Sequence, residues 1–479
     1  MPAVSIERKK RKAARVALYA SLVTMVMVIG VLGKFTEWAV RPERRWGEQD
    51  LSGRPEVELL REYVRIDTRS GKEIDGARFL AAKLAEAGIE ATIEPLGDGR
   101  ANLWAILEGR NPEALVLHHH MDVWSIDNAE LWLHPPFAAE LEGPWLYGRG
   151  TFDMKSYGVA QLLAFLDAAR RQQPLERSLI LLATSDEESG SVLGTRWVLA
   201  KHPELAARFW GVLTEGGVVE ALNPEVIKYW GVETQQLRIL FVDLCSPSRE
   251  RLENLVADLH EWPANEIVLR LTEAFEDFAA DYGPSRSRRL TRINLNIPEV
   301  VLRHRKGFRY LPHYLQSLLF DGIEAREITG GENGFEVRLT VFLLPGSDPE
   351  SVVARLLPNW LIHGLSVTVG EPIGASFGSP QEHPLFVAAI DSLLRAYPEA
   401  NAGSFFLANT ITDSRFFREL GIPSYGYSPF LFFTTDTMWV DRNNERIPLP
   451  GFLSGVRIYS DLVGKIVSGP SGDNPLSGH

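Results

Sequence analysis

Four times in the first half of this chain an apolar, strand-like run ends in histidine or acid, and this pattern most narrows the folds open to it. EALVLHH leads into His120-Met121-Asp122, LYGRGTF into Asp153, LILLATS into Asp186-Glu187-Glu188, and WGVLT into Glu215. Singly, each cluster has a bland reading. An isolated HMD is usually a surface loop, and DEES is usually a solvated helix start with its acids near the positive helix end. Four coinciding at strand ends is another matter, because open α/β sheets gather their ligand sites there.

The surrounding pattern supports such a sheet. VELLREYVRI and ARFLAAKLAEAG carry apolar residues at helical spacing, whereas NLWAILEG and EALVLHHH read as strands. MKSYGVAQLLAFLDAARRQ is a helix, and SLILLATS is a nearly all-apolar run of the kind a buried parallel strand shows. This alternation predicts a doubly wound α/β layer over 55–233. From 234 to 372 the character changes. LRILFVDL, FEVRLTVFLLPG and LSVTVG read as strands, and SRERLENLVADLHEW and PESVVARLLPNWL as helices. That set fits an inserted α+β domain of ferredoxin-like type. The α/β pattern resumes over 373–467 and closes on the helix GFLSGVRIYSDLVGKI, and 468–479 reads as a frayed, disordered tail.

The N-terminus carries a separate signal. Residues 1–15 hold six basic side chains against one acid, and Val16 to Gly33 is an uncharged apolar run of eighteen residues. That length is at the lower end of what crosses a bilayer as a helix. The basic cluster before it predicts a single-pass anchor, with residues 1–15 cytoplasmic and the rest exported to the periplasmic or extracellular side. A cleaved signal peptide is the alternative, disfavoured by the long apolar run and poor small-x-small spacing. Residues 34–54 read as a tether. The chain carries −12 overall and +5 in its first fifteen residues, which leaves −17 on the remainder. So acidic a body argues against nucleic acid as a partner. The single cysteine, Cys245, excludes an intramolecular disulfide and reads as a small apolar filler.

Imidazole and carboxylate are what a borderline-hard cation such as zinc accepts. In the His-x-Asp pair, alternate residues of a strand point the same way, so Asp122 can hold the imidazole of His120. His118 and His119 read as crowding the strand end, and His363 and His383 as ordinary core or surface histidines.

The strings HHHMDVWSID, LWLHPPFAAELEGPWLYGRGTFDMKS, LLATSDEESGS and LTEGG resemble the zinc exopeptidase family of carboxypeptidase G, carboxypeptidase S, aminoacylase and acetylornithine deacetylase. The likeness runs over about 55–466 and is strongest to the carboxypeptidase S and N-acyl-amino-acid hydrolase branch. It implies a catalytic domain built from 55–233 and 373–467, interrupted by a lid, and two zinc ions. It also implies hydrolysis of an amide bond in a peptide or N-acyl amino acid. By the same resemblance His120 and Glu215 would hold one zinc and Glu188 the second. Asp153 would bridge both, Glu187 would be the general base, and Asp122 would orient His120. An oligomer through the lid domain is compatible with it.

Three departures bear on that expectation. The family's last metal ligand is a histidine in a string like HGxNER, whereas here DRNNER puts Asp441 in its place. A lid histidine that would stabilise the oxyanion is missing from VDLCSPSRE, and Phe342 stands where the family often has an arginine before its Pro-Gly turn. Losing an oxyanion donor costs about 10²–10³-fold in rate. These changes keep open a weakened or inactive member acting as a binding protein, and an anchored structural protein without metal. Arg415 in TDSRFF could bind a substrate carboxylate or pair with Asp413.

Overall fold

The computed structural model describes residues 46, 50–223, 226–261, 268–282, 313–331, 334–408, 410–433 and 436–468. The basic tail, the span at 16–33, nearly all of the tether and the closing tail lie outside them. Among the described residues no helix is long and apolar enough to cross a membrane.

Two sheets carry the architecture. The larger begins at one edge with β1 (Ala91–Gly97) and β2 (Arg100–Leu107), both antiparallel to their neighbours. Its centre is four parallel strands, β6 (Leu175–Thr184), β3 (Gly109–His120), β7 (Phe209–Thr214) and β16 (Ser424–Gly426). Beyond them β9 (Val226–Gln236) runs antiparallel to β16 and to β8 (Val218–Asn223), and parallel to β15 (Ala402–Leu407).

Both faces of the central strands are covered, so β3 is buried without interruption from Ala114 to His120. On one face lie α3 (Lys155–Ala169) and the long closing helix α9 (Leu449–Ser468). On the other, Val198, Leu199 and Leu205 join Phe416 and Phe417 of α8 (Ser414–Glu419) over Val116, Ile180 and Val212. α1 (Pro55–Val64) shows why such helices form. Proline opens it, Glu56 and Glu58 sit in its first turn, and Val57, Leu60, Tyr63 and Val64 fall on one buried stripe. α2 (Glu73–Glu86) packs against β1 and β2, and α7 (Pro384–Ala396) against α9 and β15.

The smaller sheet is antiparallel. Its order is β11 (Gly322–Ala325), β13 (Gly334–Leu343), β10 (Arg238–Ser246), β14 (Ser366–Val369), with β12 (Thr329–Gly331) paired to β13. α4 (Arg249–Glu261) follows β10, and α6 (Pro349–Leu356) precedes β14. That is the βαββαβ succession of a ferredoxin-like unit. Leu240, Val242 and Leu244 turn toward the helices with Leu252, Leu255 and Val352, so alternate residues such as Ile239, Phe241 and Asp243 take the opposite face.

The 234–372 segment is not all lid. The cut at 234 falls inside β9, which belongs to the larger sheet as far as Gln236. α5 (Glu273–Tyr282) lies within the same segment, yet Phe275, Phe278 and Tyr282 pack with Tyr229 and Phe405 of the larger sheet. The run PESVVARLLPNWL, expected as one helix, divides into α6 and a short turn at Asn359–Ile362, because Pro358 cannot continue the first. A third, small sheet joins β4 (Glu140–Glu142), β5 (Trp145–Tyr147) and β17 (Arg446–Pro448). It ties the Asp153 segment to the Asp441–Glu445 segment.

Candidate metal centre and active site

The parallel strands deliver three of the four clusters to one edge. His120 is the last residue of β3, Thr184 beside it precedes the Asp186–Glu188 turn, and Glu215 follows β7 directly. Asp153 arrives differently. It follows the short β5 and a turn through Gly148 and Gly150, not a strand of the larger sheet. Gly150 sits at φ +82°, and a Cβ there would lie 2.6 Å from Val123 Cγ1, so only glycine fits. Asp153 joins Met154 through a cis peptide bond.

Two groups of potential ligand atoms result, each with its atoms within 4.8 Å of one another: His120, Asp153 and Glu215, and Asp153, Glu188 and Asp441. Asp153 belongs to both. His120 Nε2 lies 3.0 Å from Asp153 Oδ1 and 3.7 Å from Glu215 Oε2. On the other side of the ring, Nδ1 lies 3.0 Å from the carbonyl of Asp122. A proton on Nδ1 donates to that carbonyl and leaves the Nε2 lone pair facing the acids. Asp122 therefore orients His120 through its backbone. Its carboxylate, whose Oδ1 lies 3.5 Å from the same Nδ1, also accepts the N–H groups of Glu187 (3.1 Å) and Glu188 (2.9 Å).

The turn carrying those two glutamates is irregular. Asp186 has φ +70°, Gly190 φ +105° and Ser191 φ +59°, around a single 3₁₀ turn over Glu187–Ser189. This lets neighbours diverge: Glu188 enters a ligand group, while Glu187 faces Arg415, whose Nη1 is 3.7 Å from its Oε1.

The electrostatics call for cations. Burial, then repulsion from Glu215, pushes the Glu187 carboxyl well above the usual range, and burial with Asp153 and Asp441 does the same to Glu188. Burial and the charge of Asp153 push Glu215 up to about 7 and Asp441 up to about 8. Burial opposes a charged imidazole at His120, yet Glu215, Asp122 and Asp153 outweigh it and raise its pKa well above the ordinary value. Glu188 Oε1 and Asp441 Oδ1 are buried with no hydrogen-bond partner. Carboxylates packed this way need either protons or cations, and one imidazole with four carboxylates is a donor set suited to two divalent ions.

Several further residues hold this cluster in place. Arg149, 1% exposed, donates to Glu445 Oε2 (2.6 Å) and to the carbonyls of Ser125 and Asp441. Glu445 Oε1 accepts the N–H groups of Phe152 (2.8 Å) and Asp153 (3.2 Å). Buried Lys155 donates to the carbonyls of Tyr63 and Ile66, and burial lowers its pKa to about 7. Asp413 accepts from Thr195 Oγ1 (2.6 Å) and from Ser191 Oγ.

Arg415 lies 3.7 Å from both Asp413 and Glu187 and donates to the Thr412 carbonyl, so its pairing and its place at the pocket coexist. His118 is held by Thr214, Thr184 and Thr195, and His119 by Gln161. Burial lowers their pKa values to about 4 and about 3, and neither joins a ligand group. His383 caps α7. A cavity of about 570 Å³ opens over Glu187, Glu188, Asp441 and Arg415, with Ile239 and Phe241 of the smaller sheet on its far wall. Among its described lining residues there is no histidine. Phe342 packs beside the α5 cluster.

The sequence pattern of peptidase family M20/M25/M40 matches residues 116–465. The chain belongs to that family. Over 138 residues this M20 chain is 33% identical to a probable succinyl-diaminopimelate desuccinylase of Staphylococcus aureus (strain MRSA252), a stretch covering 29% of this chain and 34% of that protein. It thus spans about a third of the length of the curated relatives it matches. The fold resembles that of an M20 family metallo-carboxypeptidase of Sulfolobus solfataricus, with TM-score 0.64 and 17% identity over 85% of this chain and 98% of that one. A dipeptidase of Saccharomyces cerevisiae matches with TM-score 0.64 and 14% identity over 87% and 96%. These two likenesses are of fold.

Proposed function

We propose that this chain is a zinc-dependent amide hydrolase of the carboxypeptidase and aminoacylase kind, acting on a peptide or an N-acyl amino acid. The observation that carries this reading is the pair of ligand groups sharing Asp153, with Glu187 beside them at the floor of a pocket walled by the smaller sheet. Membership of a peptidase family supports it, as does the identity with a protein named as a desuccinylase.

In this reading His120, Asp153 and Glu215 would hold one zinc ion, and Asp153, Glu188 and Asp441 would hold the other. Bound there, the two cations supply Lewis acidity and offset the buried negative charge. Glu187 takes a proton from the attacking water and returns it to the nitrogen of the leaving amine. Asp122 fixes the turn that aims Glu187, through the two N–H groups it accepts. Arg415, 3.7 Å from both Asp413 and Glu187, lines the pocket and steadies the Glu187 carboxylate. The apolar run at 16–33 anchors the chain in a membrane and places the catalytic domain outside the cytoplasm. A reporter fused after Val467 that is active only in the cytoplasm overturns that topology.

A second reading, a binding protein that keeps the fold, is favoured by the absence of histidine among the described lining residues. Glu187→Gln separates the two. It keeps the volume and removes the base, so the chain should retain close to two zinc equivalents while turnover falls about 10²–10⁴-fold. Asp153→Asn should lose metal together with activity. A zinc-loaded wild type that hydrolyses amides and is indifferent to Glu187→Gln refutes the assignment. One that is silent on every peptide and N-acyl substrate gives the binding reading the advantage.

A further inference from the structure

The pocket over the candidate metal centre is acidic on its floor and apolar on its walls. Trp124, 40% exposed, lines it together with Val440. Ile239 and Phe241 from β10, with Ile373, face it from the side of the smaller sheet. Phe241 belongs to the face of β10 turned away from the α4 and α6 core, so its ring lines the pocket and is not spent on packing the lid core.

The charges around that ring are unequal. Two guanidinium groups flank it, with Arg326 Cζ 5.7 Å and Arg338 Cζ 5.3 Å from its centroid. Arg338 is engaged through Nε and Nη2 by both carboxylate oxygens of Asp243, at 2.6 and 2.9 Å. The Arg326 side chain has no ion pair or hydrogen bond among the described residues. The lid therefore presents an aromatic ring beside an uncommitted cation, in the same pocket that Trp124 lines.

We infer that this site selects amides bearing a large apolar group, of aromatic or branched aliphatic size, seated between Phe241 and Trp124, with the substrate carboxylate held by Arg326. The inference rests on the hydrolase reading above. A small or acidic group in that place leaves Trp124 and Phe241 uncovered, or sets a second negative charge against apolar walls and the carboxylates of Glu188 and Asp441. Burying a side chain of leucine or phenylalanine size strengthens binding by about 10- to 100-fold. That gain should appear in kcat/KM if the group stays buried in the transition state.

The test uses the zinc-loaded full chain in detergent and two substrate series. One keeps the acetyl group and varies the amino acid through alanine, leucine, phenylalanine and glutamate. The other keeps alanine and lengthens the acyl group from acetyl to hexanoyl, with succinyl as the acidic member. The expected result is a gain of about 10-fold or more in kcat/KM for the apolar members of at least one series, with glutamate and succinyl below them. Phe241→Ala should collapse that ratio, and Phe241→Leu, which keeps an apolar wall, should retain most of it. Arg326→Gln should raise KM across each series while leaving the apolar ratio in place. Hydrolysis of N-acetylalanine with no apolar gain, or with the acidic members preferred, overturns the inference and leaves the hydrolase reading standing. No hydrolysis of any member by the zinc-loaded wild type overturns both.

Discussion

Replacing Glu445 by glutamine tests whether the candidate metal centre is held in place from a distance. The carboxylate is fully buried and serves two purposes. Oε2 receives the Arg149 guanidinium at 2.6 Å, and Oε1 receives the N–H groups of Phe152 and Asp153. Glutamine keeps an acceptor for the two amides but turns an NH₂ toward a guanidinium. Arg149 is then left with two carbonyl acceptors at 3.1 and 3.2 Å. Removing one partner of a buried pair costs about 3–5 kcal/mol, and the retained acceptor argues for the lower end, about 3 kcal/mol.

The nearest remaining carboxylate is Asp441, whose Oδ1 is 3.7 Å from Arg149 Nη1. The freed guanidinium should therefore draw a ligand carboxylate out of position, and zinc affinity should fall about 10–100-fold, the usual cost of losing a partner behind a ligand. Urea unfolding of the metal-free chain reads the first effect, and zinc titration against a competing chelator the second. A loss under about 1 kcal/mol at unchanged m-value, with wild-type zinc affinity, would refute the reasoning. Arg149→Met, which strands the carboxylate instead, should cost at least as much.

Asp441→His should be tolerated, because Asp441 adopts φ +56°, a conformation open to histidine, and the change removes one negative charge from the crowded acids. The metal-free protein should gain stability and zinc should still bind; loss of all binding to the second site would count against Asp441 as a ligand. Glu73 supplies a pH test: it is fully buried, neither carboxylate oxygen has a hydrogen-bond partner, Arg100 Nε is 3.8 Å away, and burial pushes its pKa up to about 7. The fold therefore favours the neutral acid, and its contribution is complete below about pH 4.5 and lost as pH rises through about 7. Glu73→Gln should gain on wild type in thermal midpoint between pH 5 and pH 8, and a difference that is flat or falls over that range contradicts the argument.

What could be read from the sequence follows from the range over which each signal acts. β3 and β6 are buried on both faces, so their apolar runs identify them without reference to any partner, and the acids at their ends are found with them. The ferredoxin-like succession was legible for the same reason, since β10 alternates and α4 and α6 carry their own apolar stripes. Asp153 is another matter. Its position depends on Glu445, which lies nearly 300 residues later and binds its N–H group, and no local pattern records that pairing.

The boundary at 234 failed similarly. β9 ends VETQQ, polar enough to pass for a linker, but Glu233 is buried against Arg418, which it grips with both oxygens at 2.7 and 2.8 Å. A buried charge tells a reader only that a partner must exist, because leaving it unpaired would cost several kcal/mol. Which residue answers is decided by the tertiary fold. The same holds for α5, whose Phe275, Phe278 and Tyr282 announce an apolar face without saying which sheet will receive it. Ligand types and strand ends are properties of single segments, whereas the groups that hold them within reach of one another are properties of pairs.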